Sequence, residues 1–280
     1  MEGHRERNIR NTPLRGDCGY NCHPDFNRKM DMVSVMNVQL IAHTEYPEAV
    51  CNCAAETCVS EDIPDLEMST NRFRSLKGAM ASGHESVLEH ATFTFAIEGI
   101  SRACSHQLVR HRMASFSQQS QRYVKMDGFD YVVPESIKNS ETIWKNEYVC
   151  DEISTLEWYE KLMSELSEQY SQLVKVGIPE EDARYILPNA CTTNIIVTMN
   201  GRELMHFFGL RCCTRAQWEI RELAKEMLKQ VREVAPVMFE KAGPQCKKLG
   251  YCPEAKGCGR YPPKVEALGL DMCVLSEVDE

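Results

Sequence analysis

A single α+β domain is the architecture this 280-residue chain predicts. Strand-like and helix-like segments are interspersed along it, no repeat recurs, and no linker cuts it, so the segments are expected to share one core. Length alone allows one large domain or two small ones. A hydrophobic content of 43% with 26% charged residues is globular composition, neither disordered nor fibrous.

Residues 1–30 are polar and rich in Gly, Pro and Asn, with Cys18 and Cys22, and read as a loosely ordered extension. Residues 32–44 hold Val33, Val35, Val38, Leu40 and Ile41, a first strand. Pro47 opens a short helix carrying Ala49, Val50, Ala54 and Ala55. A second helix covers 65–82 and stops at Gly83, where a left-handed C-cap is common. Residues 91–100 alternate Thr92 and Thr94 against Phe93, Phe95 and Ile97, the period of a strand. Ser101 can N-cap a helix running to about residue 112.

Residues 122–133 read as extended, closed by Pro134. The longest predicted helix runs over 140–176, with an apolar stripe through Ile153, Leu156, Tyr159, Leu162, Leu166, Tyr170 and Leu173, and ends at Gly177. A short helix over 179–187 and a strand over 190–199 follow. Helices over 201–212 and 216–242 complete the domain, taken as 31–242, and an irregular tail over 243–280 carries Cys246, Cys252 and Cys258.

No apolar run approaches the ~18–20 residues needed to span a bilayer. The polar start lacks the apolar core of a signal peptide, so a cytoplasmic protein is expected. A formal net charge of −9 argues against a general nucleic-acid binder but leaves room for a local cationic pocket. Fourteen cysteines in a chain of this length and expected compartment read mainly as reduced thiols. Cys51, Cys53 and Cys58 with Cys246, Cys252 and Cys258 could meet around zinc or an iron–sulfur cluster, but neither spacing is that of a strong zinc site, and no metal is assigned. Cys212 and Cys213, beside Arg211, read as oxidation-sensitive thiols without a catalytic role. No G-x-G-x-x-G, Walker A, H-E-x-x-H or G-x-S-x-G motif occurs.

The densest polar run is 107–123. Arg110, His111 and Arg112 are followed eight positions after Arg112 by Ser120, then Gln121, Arg122 and Tyr123. The first three could be simple cations at a helix C-terminus. Paired with Ser120 and Arg122 they resemble a phosphate grip, since Arg forks bind phosphate bidentately and hydroxyls add neutral donors. Glutamines offer a donor and an acceptor side by side, the complement of an imide edge such as uracil's. A second cluster, Asn200, Gly201, Arg202, His206 and Arg211, opens a helix directly after a strand, where free amides could face an anion. There, His206 reads either as a ligand group or as a satisfied core histidine, and Arg211 as a ligand group or a helix-end cation. Arg184 reads either as a third anion-binding group or as an ion-pair partner of Glu180 or Glu181.

Arg110-His111-Arg112, seven residues, then Ser120 resembles the signature of the flavin-dependent thymidylate synthases. Further segments are similar and fall in family order: Gly83-His84-Glu85-Ser86 through Glu89-His90, Gln107, Gln121-Arg122-Tyr123, Arg184 with Leu187-Pro188, Asn200 with Arg202, Leu210-Arg211, and Arg215-Ala216-Gln217-Trp218-Glu219. The resemblance spans roughly 35 to 240. It implies an antiparallel sheet flanked by helices, assembled as a homotetramer whose active sites are shared between subunits. It also implies reductive methylation of dUMP to dTMP with FAD, NADPH and methylenetetrahydrofolate, releasing tetrahydrofolate.

By the same resemblance, Ser86, Arg110, His111, Arg112, Gln118, Asn200, Gly201, Arg202 and His206 fall where FAD is held. Gln107, Leu108, Val109, Arg110, Gln118, Gln119, Ser120, Gln121, Arg122, Arg184 and Arg211 fall on the dUMP side. Gln118 stands where the family often has glutamate, and His206 where some members have asparagine. Arg211 is the expected catalytic group, stabilising the uracil ring as an anion, and Ser120 a positioner rather than a nucleophile. The reading from another class is a non-catalytic nucleotide- or RNA-binding module built on the Arg-His-Arg segment and Tyr123.

Overall fold

A computed structural model describes residues 36–66, 73–145 and 152–269. The predicted extension over 1–30 lies outside the described residues. Period-two alternation becomes an antiparallel sheet of four strands in the order β1 (Asn37–His43), β2 (Thr92–Ser101), β6 (Thr192–Asn200), β3 (Ala114–Gln118). Phe93, Phe95 and Ile97 of β2 pair with Met199, Val197 and Ile195 of β6, and all six are buried on one face. Ala114, Phe116 and Gln118 of β3 pair with the same three β6 residues and so share that face. The other face carries Thr94, Ala96, Ile196, Thr198, Ser115 and Ser117, and Ile196 is 44% exposed.

Four helices pack their apolar sides on the inner face. They are α1 (Pro47–Thr57), α2 (Arg74–Ala81), α7 (Gly201–Arg211) and α8 (Trp218–Val234), joined by a 3-10 turn over Glu85–His90. Pro47 takes the first turn of α1, where a missing N–H costs nothing. Gly83 follows α2 with φ +79 and lets the Gly83 and His84 amides close the last turn onto Met80 and Ala79 carbonyls. Gln230 of α8 reaches the edge strand β1, accepting from Leu40 N–H at 2.6 Å and donating to Val38 O at 2.8 Å. That contact occupies ladder groups an open edge would expose.

A smaller apolar cluster forms where α5 (Thr155–Lys175) packs against residues 126–133, which turn at Gly128 and make one isolated bridge, Tyr131 with Cys191, in place of the extended run expected over 122–133. Met163 and Tyr170 meet Met126, Phe129, Tyr131 and Val133 there. Short elements complete the chain: α3 (Arg102–Leu108), α4 (Glu135–Lys138), the β4–β5 pair (Ile143–Lys145 with Glu152–Ser154), α6 (Glu180–Ala183), α9 (Gln245–Leu249) and α10 (Lys264–Ala267).

Several predicted bounds move. The long helix begins at Thr155, not residue 140, because β4 and β5 precede it and Ser154 with Glu157 forms a capping box. The helix after Ser101 ends at Leu108, four residues early, and the polar run beyond it turns and becomes β3. The helix expected over 216–242 stops at Val234. Of the helix expected over 65–82, Arg74–Ala81 is helical and 67–72 lie outside the described residues. Among the described residues no helix is long and apolar enough to cross a membrane.

Candidate active site

Helix α7 starts the moment β6 ends. The Asn200 side chain caps it, accepting from Glu203 N–H at 2.9 Å. Gly201 N–H donates to Ala91 O at 2.8 Å. Two of the amides expected to face an anion are thereby engaged within the fold, Gly201 N–H by Ala91 O and Glu203 N–H by the Asn200 cap. Gly201 also has a packing reason: a Cβ there would sit 2.9 Å from Leu88 O and from Met238 Sδ. From this start, helical spacing buries Glu203, exposes Arg202 and His206, and brings Arg211 to the last turn.

The first turn after α3 delivers His111 into the interior, 4% exposed, edge-on to Phe207 with ring centroids 4.9 Å apart. Its Nδ1 lies 2.9 Å from Glu203 Oε1, and its Nε2 lies 3.1 Å from Arg211 Nε. A guanidinium can only donate, so Nε2 must accept and Nδ1–H must donate to Glu203. Burial lowers the His111 pKa from its ordinary 6.5, opposed by the Glu203 hydrogen bond and assisted by Arg211. His111 is thus a neutral link between a buried carboxylate and an arginine. Arg211 also donates from Nη2 to Gln107 O at 3.3 Å, so two bonds fix its fork. Arg211 is also a cation in the last turn of α7, as the helix-end reading has it.

His111, Glu203 and His206 offer ligand atoms within 4.8 Å of one another. Both His111 nitrogens are committed, however, which leaves this trio poorly suited to a metal. His206 is exposed, with its ring 5.7 Å from that of His111, so the core-histidine reading belongs to His111 instead.

At the far end of β3 lie the other predicted residues. Gln118 Nε2 donates to Ser105 Oγ at 2.9 Å, and Gln119 O accepts from Arg102 Nη2 at 2.7 Å. Ser120 Oγ accepts Arg122 N–H at 3.2 Å in a tight turn. Gln121 Nε2 makes a 3.9 Å contact to Cys191 Sγ. Arg122 pairs with Glu181 at 3.0 Å and lies over the Tyr123 ring. Arg184 donates to Glu181 O at 3.0 Å, so its expected side-chain ion pair is replaced by a main-chain contact. Leu108 is fully buried in the core, and Val109, Arg110, Arg112 and Ser86 are exposed, none of the four among the residues bordering the cleft described below.

Sequence reasoning missed two groups here. Glu203 was only a letter between Arg202 and Leu204, although an acid three after Asn200 is a capping pattern. Arg102, half-buried with a buried Nε that has no partner, stands near Arg184, which helps depress its pKa after burial itself. An arginine between Ile100 and Cys104 was the available signal.

A cleft of about 630 Å³ runs along α7, bordered by Asn200, Arg202, His206, Lys241, Lys248 and Met113. Arg202 pairs with Glu89 at 2.5 Å and Lys248 with Glu85. Exposed pairs of this kind contribute ~0–1 kcal/mol, so an incoming phosphate can displace the carboxylates. Cations, an amide, an imidazole and thioether carbon together suit a ligand with phosphates and a flat ring.

The model of the family described as "Thymidylate synthase complementing protein" matches residues 39–237. The chain belongs to the flavin-dependent thymidylate synthase family. The Geobacter sulfurreducens flavin-dependent thymidylate synthase is 51% identical over 232 residues, covering 80% of this chain and 94% of that one. The Clostridium tetani enzyme is 48% identical over 238 residues, with the same coverage. Among solved structures, a UMP/dUMP methylase, PolB from Streptomyces cacaoi bound with 5-Br dUMP, superposes with a TM-score of 0.61. It is 26% identical and covers 74% of this chain and 94% of that one. A flavin-dependent synthase needs a flavin, and the α7 cleft has the donor set to hold one.

Proposed function

We propose that Arg211, oriented by His111 and Gln107 O, polarises the substrate in the reductive methylation of dUMP to dTMP. Methylenetetrahydrofolate is the carbon donor, FAD with NADPH the reductant, and tetrahydrofolate the released product. Uracil C5 is a poor nucleophile. A cation beside N3 and O2 stabilises the ring as an anion and raises electron density at C5 without a covalent thiol. The observation that carries the reading is the two-bond anchoring of Arg211 by residues of the 107–111 stretch.

Ser120, Gln121, Arg122 and Arg184 hold the nucleotide, with Gln107, Leu108, Val109, Arg110, Gln118 and Gln119 alongside. Leu108 contributes through its backbone, because its side chain is in the core. Ser120 positions: its Oγ contacts a backbone amide, and no histidine or carboxylate among the described residues is bonded to it. Asn200, Gly201, Arg202 and His206, with Ser86, Arg110, Arg112 and Gln118, form the flavin side, and His111, buried with both ring nitrogens engaged, lies behind it as a support rather than a direct contact. When bound, FAD supplies the reducing equivalents.

The reading includes a cytoplasmic homotetramer with shared sites, a catalytic domain over 31–242, an extension over 1–30 and a tail over 243–280. The reading places the contact between subunits on the sheet face that carries Thr94, Ala96, Ser115, Ser117, Ile196 and Thr198. The test is direct. The purified protein should carry a flavin absorption band and convert dUMP to dTMP only with methylenetetrahydrofolate and NADPH. Absence of both band and product after FAD is added would reject the reading.

A further inference from the structure

Cys246 and Cys252 follow α8, outside the segment the family model matches, and the chemistry above does not use them. Together with Cys213, two residues past Arg211, they border one cavity of about 160 Å³. A fourth thiol closes the group. Cys258 Sγ accepts a hydrogen bond from the Thr214 side chain, next to Cys213. Its neighbour Gly257 packs so closely on Cys252 that a Cβ there would sit 3.1 Å from Cys252 Sγ. All four are free thiols, brought together from the α7–α8 turn, α9 and the loop beyond it. The other cysteine group is satisfied locally, with Cys53 donating to Pro64 O and Cys58 to Ala54 O. The fold therefore replaces the sequence grouping: Cys213, not the α1 cysteines, completes the tail.

A second observation concerns the backbone. Arg260 N–H donates to Cys258 Sγ, an arrangement that Gly259 at φ +80 permits. Amide donors to sulfur stabilise thiolate and recur around metal-bound cysteine. Arg215 ties the loop down, pairing with Glu254 at 3.2 Å and donating to Lys256 O at 3.2 Å.

We propose that Cys213, Cys246, Cys252 and Cys258 form a structural zinc site that clamps the 246–258 segment to the end of the helix carrying Arg211. Four cysteines leave no open coordination position, so the site is structural rather than catalytic. Binding one Zn²⁺ forms four Zn–S bonds and releases four thiol protons, leaving a tetrathiolate of charge −2. Arg211 and Arg215 border the same cavity and Arg260 lies beside Cys258, so three guanidinium charges are placed to offset it. No three of these thiols lie within 4.8 Å of one another, so binding draws the loop inward.

Metal analysis of the full chain, purified without chelator, tests this. About one zinc per chain is expected, released by a thiol-specific mercurial. Cys213→Ser, Cys246→Ser, Cys252→Ser and Cys258→Ser should each lose most of it, while Cys58→Ser on α1 keeps it. The wild-type measurement stands even if a variant fails to fold. Zinc-free protein with all four thiols alkylated in the native state would overturn the proposal. So would a disulfide among them, or iron with sulfide in place of zinc.

Discussion

Glu203, His111 and Arg211 act as a chain in which each group fixes the next. The carboxylate holds the Nδ1–H tautomer, and that tautomer leaves Nε2 free to accept from Arg211. Glu203→Ala strands a buried donor, a cost of ~1–3 kcal/mol. Thermal unfolding should show that loss, and dUMP affinity should fall while flavin retention stays near wild type. Glu203→Gln can still accept from Nδ1–H and should recover much of both. At this scale Arg211 was legible from its motif. Its supporting pair was not, because nothing in the sequence marks two residues 92 positions apart as bonded.

Among elements, α7 was read nearly to the residue, since its start follows a strand and carries an N-cap asparagine. β3 was not read at all. Its alternation is there, Ala114 and Phe116 inward and Ser115 and Ser117 outward, but serines and glutamines read first as donors. The β4–β5 pair was hidden in the same way by a helical stripe that continued across it. Gly201 sets the entry angle of α7 through its close approach to Leu88 O. Gly201→Ala should cost ~1–3 kcal/mol by overpacking. Because α7 carries Arg202, His206 and Arg211, flavin binding and turnover should fall together, as titration and a steady-state assay would show.

For the molecule as a whole, the family resemblance implied an antiparallel sheet with flanking helices, and the central strands β2 and β6 bury one face as such a sheet requires. The second sheet face, with small residues around Ile196, is the surface on which subunits should meet. Ile196→Glu places a charge there and should lower the mass seen by light scattering, and the proposed sharing of sites between subunits predicts that dTMP formation falls alongside. An unchanged mass would move the interface elsewhere. Charge balance agrees with a small-molecule enzyme rather than a general nucleic-acid binder: the chain is acidic overall, with a formal net charge of −9.

Arg211→Ala decides the central claim. Assayed with dUMP, methylenetetrahydrofolate, FAD and NADPH, the variant should retain its flavin yet form dTMP at least ~100-fold more slowly, the scale of losing one preorganised electrostatic contact. Near wild-type dTMP formation in a flavin-loaded variant would contradict the role given to Arg211 and to the His111–Glu203 pair behind it.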